Sequence, residues 1–310
     1  RVLALLFCLM AVVAGLQKCG LFELLARKLL SGKRPVKLLV FTLVMLPFFV
    51  SMLVTNDGAL ITFVPFALLV LEHSGQQKLT APVVVLQTIA ANLGSMATPV
   101  GNPQNLFLYS TYGFTPAQFF QAVLPYTGIS FVMLTLASFC CRGRTCEVRF
   151  MQQQTIRNSK TLIVMIVLFV LCLLCVFRML PYGILLMVVC ACLAICDRSL
   201  FKSIDYGLLA TFVCFFIFAD NIGAIPVVQS LLENVLNQSA LLASAAASQV
   251  ISNVPAAVLL SGFTQDGTGL LLGTDLGGLG TPIASLASLI SLKAFLKQQP
   301  GEFVRYLVLF

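Results

Sequence analysis

Charge is what this chain has least of. Lys, Arg, Asp and Glu supply only 10% of its 310 residues, 59% are hydrophobic, and the mean hydropathy is +1.00. A soluble domain of this length needs far more charge on its surface, so the composition excludes one and points to an integral membrane protein. Between Lys78 and Arg142 there is no charged residue at all, which leaves room for two crossings at about 20 residues each. Histidine is scarcer still. His73 is the only one, so zinc and haem chemistry lack their usual ligands, and neither a structural metal nor a cofactor is expected. The 11 cysteines fall mostly inside apolar runs, among them Cys172, Cys175, Cys190, Cys192, Cys196 and Cys214, and read as small hydrophobes rather than a disulfide framework. Cys172 and Cys175 have CxxC spacing, but nothing nearby completes a metal site.

The net charge of +8 comes from basic residues clustered in two short connecting segments: Arg27, Lys28, Lys33, Arg34 and Lys37, then Arg142, Arg144, Arg149, Arg157 and Lys160. That clustering is the positive-inside pattern, and it places segments 27–37 and 142–160 in the cytoplasm, with a bacterial inner membrane as the expected location. Nucleic-acid binding is excluded as a reading, because no basic residues alternate with aromatics on a soluble face. The chain starts at Arg and stops partway through an apolar run, so it reads as a fragment whose final segment is truncated. No secretory signal is legible in such a start.

Along the chain, Val2 to Gln17 is a first apolar run, followed by a basic amphipathic helix. Leu38 to Leu71 contains SMLVTNDGALITFVP. As one helix it would be about 50 Å long, too much for a 30 Å hydrocarbon core and too little for two crossings with a turn. The expected solution is a re-entrant hairpin with its tip at Thr55 to Gly58. Next comes ANLGSMATPVGNPQNLFLYS, whose Gly and Pro residues predict a helix broken at Thr98 to Pro103. Phe119 to Cys141, Leu162 to Phe177 and Tyr182 to Cys196 are further crossings. The order then repeats: an apolar helix with an amphipathic tail, a split segment at Ser252, Asn253 and Pro255, and Leu270 to Leu292 split by GTDLGGLGTP. Three crossings lie between the two halves, so the second half is expected to be inverted. The domains so read are a first repeat at 1–141, a basic loop with two connecting helices at 142–205, and a second repeat at 206–310. The fold class is an all-α polytopic bundle with inverted repeats, two re-entrant hairpins and two broken helices.

Paired hairpin tips and paired broken helices bring loose backbone groups and helix ends together near the midplane, which suits ion transport by alternating access. The segments Thr55 to Asp57, Ala97 to Asn105, Ser252 to Ala256 and Gly273 to Pro282 together resemble the ion-transporter superfamily with the citrate-transporter-like domain. That group holds arsenite efflux permeases of the ArsB type, NhaD sodium/proton antiporters, and symporters of di- and tricarboxylates. The symporters typically carry Ser-Asn-Thr at both tips. This chain has Thr-Asn-Asp and Ser-Asn-Val, and its acidic first tip is more similar to the arsenite and NhaD branches. The GNPQNLFLYS segment is similar to bacterial anion permeases. A homodimer is also what the resemblance implies.

Each candidate residue has a plainer reading beside the functional one. Asn56 and Asp57 either cap a helix or, as mid-membrane carboxylate and amide, bind a coupling proton or cation; a sodium site near Asn56, Asp57 and Asn102 is the sharper expectation. Thr98, Gly101, Asn102, Pro103 and Asn105, with Thr274, Gly280, Thr281 and Pro282 in the second half, either kink helices or line an ion path. Ser252 and Asn253 are the repeat partners of the first tip. Asp220 either ends its helix at the interface or is functional; Asp275 is better placed to face a cavity. Lys18 and Arg178 are expected to snorkel to the interfaces. GTDLGGLG lacks the Lys-Ser or Lys-Thr of a phosphate loop. An intramembrane aspartyl enzyme would pair acids, yet the paired features are Asn tips and Gly-Pro breaks, so an enzyme is not expected; a passive channel has no need of inverted broken helices. The resulting expectation is a secondary transporter of a small anion, a di- or tricarboxylate among the candidates, coupled to sodium or protons in the lipid bilayer. Arsenite efflux or sodium/proton antiport is the alternative.

Overall fold

The computed structural model describes residues 1–141, 145–148, 159–223 and 225–310. Arg142, Arg144, Arg149 and Arg157 of the second basic segment lie outside the described residues, as does the side chain of Asp220. Nearly everything described is helical. The order begins α1 (Val2–Lys18), α2 (Leu21–Leu30), β1 (Gly32–Pro35), α3 (Val36–Val50), α4 (Asn56–His73), α5 (Thr80–Ser95) and α6 (Pro103–Thr111). It continues with α7 (Pro116–Cys140), β2 (Thr145–Val148), α8 (Ser159–Val176), α9 (Tyr182–Cys196), α10 (Tyr206–Gly223) and α11 (Pro226–Gln238). The last elements are α12 (Ala240–Ile251), α13 (Asn253–Leu260), α14 (Gly267–Leu276), α15 (Leu286–Gln298) and α16 (Phe303–Leu309). The one departure from helix that composition did not suggest is a short antiparallel ribbon, β1 on β2, with Gly32 opposite Val148.

The sequence explains several helix starts, where Thr55, Asn102, Thr115, Ser239 and Asp266 each accept from a backbone N–H of the first turn. Thr115 and Gln118 form a reciprocal capping box at the start of α7, and Pro116 supplies the first helical position, where its missing N–H costs nothing. By length and composition α7 and α8 can each cross a membrane, and α1 with α2, bent by 50° between them, is long and apolar enough only if taken as a pair. Other apolar helices are shorter, and two of them, α3 and α12, stop at breaks.

The chain divides into two compact units. One comprises residues 1–28 and 151–217. In it α1 packs on α8 and α9, and Gly15 allows the close approach, since a Cβ there would fall 2.4 Å from the Met165 sulfur. Cys8, Cys172 and Cys175 are buried as free thiols in this packing. Lys18 does not simply snorkel; its ammonium pairs with Asp197 at 2.6 Å.

The other unit comprises residues 29–150 and 218–310 and contains all four breaks. Its core joins Leu60 and Val64 of α4, Val84 and Ala91 of α5, Leu292 and Phe295 of α15, and Tyr306 of α16. The contacts are exchanged between the two halves: α6 packs on α13 and α14, while α15 packs on α4 and α5. Within each half, α3 lies against α5 and α12 against α14. Glycine permits both crossings. A Cβ on Gly94 would meet the Phe48 carbonyl oxygen at 2.1 Å, and one on Gly277 would meet the Ala245 Cα at 2.7 Å.

The expected breaks at Thr55 and at Thr98 to Pro103 are present, as is the split at Ser252. The last break contains Gly280, Thr281 and Pro282, between α14 and α15. Within GTDLGGLGTP the helix α14 runs on to Leu276 before the break begins. Gly273 serves contact instead, because a Cβ there would lie 2.0 Å from Ser244 Oγ and 2.3 Å from the Leu241 carbonyl oxygen.

Candidate functional site

At the first tip the helix cap is Thr55, whose hydroxyl accepts from Gly58 N–H at 3.4 Å. Asn56 and Asp57 are therefore in the first turn of α4 and are not its cap. This leaves the Asn56 amide to reach across to Asn92, donating to its Oδ1 at 2.8 Å. The Asn56 backbone N–H donates to the Gly101 carbonyl at 3.1 Å, so the tip of α3 and α4 is tied to the break between α5 and α6.

The second tip repeats this joint. Asn253 N–H donates to the Ala284 carbonyl at 2.9 Å. Aligning Thr98-Pro99-Val100-Gly101-Asn102 with Thr281-Pro282-Ile283-Ala284-Ser285 makes the two bonds equivalent. Other contacts fall into the same register. Thr98 Oγ1 donates to the Met52 carbonyl, and Thr281 Oγ1 to the Gln249 carbonyl at 3.4 Å. Gly101 N–H donates to Thr98 O at 3.3 Å and Ala284 N–H to Thr281 O at 3.1 Å, one turn in each break. Asn56 Oδ1 accepts from the next backbone N–H at 3.0 Å, and Asn253 Oδ1 does so at 2.9 Å.

The same register pairs Asn92 with Asp275 and Asn102 with Ser285, and here the bonds cross between halves. Asn102 Nδ2 donates to Asp275 Oδ1 at 3.2 Å; Ser285 Oγ donates to Asn92 Oδ1 at 3.0 Å. Asn102 has two tasks. Its Oδ1 caps α6 by accepting from Asn105 N–H at 2.9 Å, and Pro103 follows at the first helical position. The Asp275 carboxylate thus lies at the N-terminus of α6, where free N–H groups and the helix dipole favour negative charge. Gln104 Nε2 adds a longer bond to the same Oδ1 at 3.4 Å.

The two crossed positions differ in chemistry. Asn92 is saturated: besides the two bonds it accepts, its Nδ2 donates to Thr88 O at 3.1 Å and Ser288 Oγ at 3.0 Å. Asp275 is 3% exposed and the one buried acidic or basic side chain among the described residues, yet its Oδ2 has no hydrogen-bond partner. Gln104 Oε1 and Asn105 Oδ1, also buried, share that condition.

The remaining candidates take plainer places. Thr274 is buried and its hydroxyl bonds back to Leu270 O at 2.9 Å within its own helix. Ser252 has φ 73° and ψ 154°, a region used almost only by glycine. Gly280, at φ 105°, lies in the second break with Thr281 and Pro282, and Gln249 ties that segment down by donating to Gly277 O and Leu279 O, each at 2.6 Å. Asp57 is half-buried, so the fully buried carboxylate is Asp275. Sequence reasoning passed over Asn92, Gln104, Gln249 and Ser285. Asn92 and Asp275 each precede the Thr-Pro of a break by six residues, a signal that aligning the two breaks would have exposed.

Comparison with known proteins finds named transporters among the similar chains. An uncharacterized transporter of Methanocaldococcus jannaschii is 30% identical over 299 residues, covering 93% of this chain and 79% of that protein. The inner membrane protein YbiR of Escherichia coli is 29% identical over 293 residues, 92% of this chain and 77% of its own length. A shorter match, 33% identical over 138 residues, is to the silicon efflux transporter LSI3 of Oryza sativa subsp. japonica and covers 43% of this chain and 28% of that protein. The family described as Citrate transporter matches residues 1–266. This chain, an integral membrane protein built almost wholly of helices, belongs to the citrate transporter family and is a membrane transporter.

Proposed function

We propose that the protein is a secondary active transporter that moves a small anion, a di- or tricarboxylate among the candidates, together with sodium or protons. The observation that carries this reading is the repeated joint: Asn56 to Gly101 and Asn253 to Ala284, with the crossed pair Asn102 to Asp275 and Ser285 to Asn92. Such exchange of contacts is what an inverted repeat produces, and an inverted repeat provides two related states for alternating access around one site. In this reading the segments tipped by Asn56 and Asn253 are re-entrant hairpins, Thr98 to Asn105 and Gly280 to Pro282 line the path, and Asp57 takes a coupling proton where protons drive transport. The basic segments 27–37 and 142–160 face the cytoplasm of a bacterial inner membrane, and the transporter assembles as a homodimer.

Electrostatics supports coupling. No Lys, Arg or His is buried among the described residues, so amide donors and helix ends are what an anion would meet. Bringing a multiply charged anion there without a cation is costly, which favours its entry with sodium or protons. The same lack of a buried cationic residue supports a second reading, efflux of a weak acid that is uncharged at neutral pH, such as arsenite. The name of the rice relative, a silicon efflux transporter, points the same way.

The test is uptake into proteoliposomes of labelled citrate, succinate and arsenite under imposed sodium and proton gradients in turn. Accumulation of a carboxylate driven by either gradient is the expected result. Arsenite movement without carboxylate movement selects the second reading, and no gradient-driven movement of any solute refutes both.

A further inference from the structure

Buried polar atoms in folded proteins nearly always have partners, and each exception calls for an explanation, an ion among them. Three exceptions belong to one neighbourhood: Asp275 Oδ2, Gln104 Oε1 and Asn105 Oδ1. All three residues are at least nine-tenths buried. Gln104 donates to the Asp275 carboxylate, the Asn105 side chain lies beside the same carboxylate, and α6 packs directly on α14. Turning the Gln104 amide over does not remove the problem, because its oxygen would then face Asp275 Oδ1, acceptor against acceptor.

We infer that Asp275 Oδ2, Gln104 Oε1 and Asn105 Oδ1 form a binding site for a sodium ion, and that the crossed position at Asn92 is closed to a second one. The inference rests on the proposed transport reading only for its role as the coupling ion; the binding site itself does not depend on it. The donor set is all oxygen with one formal negative charge, which suits a hard monovalent cation rather than a thiolate- or imidazole-seeking metal. Asp275 provides the charge that the two neutral amides lack, and the cation in turn neutralises a carboxylate that no Lys or Arg accompanies. At the crossed position, Asn92 has no charge and no unused polar atom: Asn56 and Ser285 occupy its oxygen, Thr88 and Ser288 its nitrogen. One half carries the site, and the other half holds the equivalent place shut with hydrogen bonds. The assignment moves sodium away from Asp57, where the sequence alone suggests it.

The experiment measures equilibrium binding of radiolabelled sodium to the purified full-length protein in detergent, with thermal unfolding followed in sodium chloride against choline chloride at equal ionic strength. Expected are one sodium ion per chain and a saturable rise in the unfolding midpoint, as mass action requires for an ion that binds only the folded state. Asp275→Asn, close in shape, should abolish both while the protein still elutes as a single folded species. Gln104→Leu should weaken binding by about tenfold or more, in the range found when groups that orient or complete an ion site are lost. Asp57→Asn should retain the ion. Sodium binding by Asp275→Asn at wild-type affinity, loss of the ion in Asp57→Asn alone, or two ions per chain would each overturn the inference. A midpoint that answers to pH but not to sodium would assign the site to a proton and overturn it as well. None of these readouts requires transport, so a failure of the transport reading is separately visible in the proteoliposome assay.

Discussion

Ser252 is held at φ 73° and ψ 154°, and its relief gives a sharp prediction. This region costs a side-chain-bearing residue of order 1–3 kcal/mol, while glycine occupies it freely. The hydroxyl offsets part of that cost through contacts with Ala284 O at 3.3 Å and Asn253 Oδ1 at 3.5 Å, both long enough to contribute about 0.5 kcal/mol or less. Replacing Ser252 with Gly removes the strain, loses those weak bonds, and adds about 0.5–1 kcal/mol of backbone entropy cost. The balance is a gain of about 0–2 kcal/mol. Ser252→Ala keeps the strain and loses the hydroxyl, a loss of about 0.5 kcal/mol. At an ordinary position alanine is the more stable of the two by about 0.5–1 kcal/mol; here the order should reverse. Unfolding of both variants in mixed micelles against denaturant gives the comparison directly. If Ser252→Ala proves more stable than Ser252→Gly, the strained geometry at this tip is wrong, and the argument that the second tip stores strain fails with it.

Asn92→Leu should destabilise the protein by about 2–4 kcal/mol, since it leaves the buried Asn56 amide and Ser285 hydroxyl without their acceptor; Thr274→Val, whose hydroxyl bonds only within α14, should cost less than 1 kcal/mol in the same unfolding assay. Gly94→Ala must force α3 and α5 apart and should lose about 1–3 kcal/mol, whereas Gly128→Ala in α7, with open space where its Cβ would go, should gain about 0.5–1 kcal/mol. Similar midpoints for the two alanine variants would contradict the crossing geometry. Asp197 is held down to about 2 by hydrogen bonds from Lys18 first and Ser199 next. A carboxylate lowered in the folded state stabilises above its ordinary value near 4 and loses that contribution as pH falls toward the folded value. The unfolding midpoint should therefore drop between about pH 4 and 2, less steeply in Lys18→Met and less in high salt, because the pair is partly exposed.

The breaks were legible wherever glycine, proline and an amide met inside an apolar run. Thr98 to Pro103 is the clearest case, because Pro103 cannot continue a helix that began upstream and Asn102 can start a new one. Not every glycine in GTDLGGLGTP marks the break: Gly273 lies inside α14 and admits the Leu241 backbone, a role that sequence alone does not separate from helix interruption. The acid at the tip drew the sodium expectation because Asp57 follows Thr55 and Asn56, while Asp275 has only Thr274 as a polar neighbour in sequence and stands among leucines and glycines. Its partners Asn102, Gln104 and Asn105 come from the other half of the chain, and only folding brings them together. Asn92 was overlooked for the same reason, as a single amide in an apolar helix whose four bonds are mostly long-range.

The joints at the two tips are made by main-chain atoms, Asn56 N–H to Gly101 O and Asn253 N–H to Ala284 O. Main-chain acceptors survive any substitution and main-chain donors any except proline, so both joints are insulated from changes in the side chains around them. The side chains at Asn56 and Asn253 can therefore be exchanged for others while the same linkage is kept. On the proposed transport reading, what is carried can change without either joint being lost.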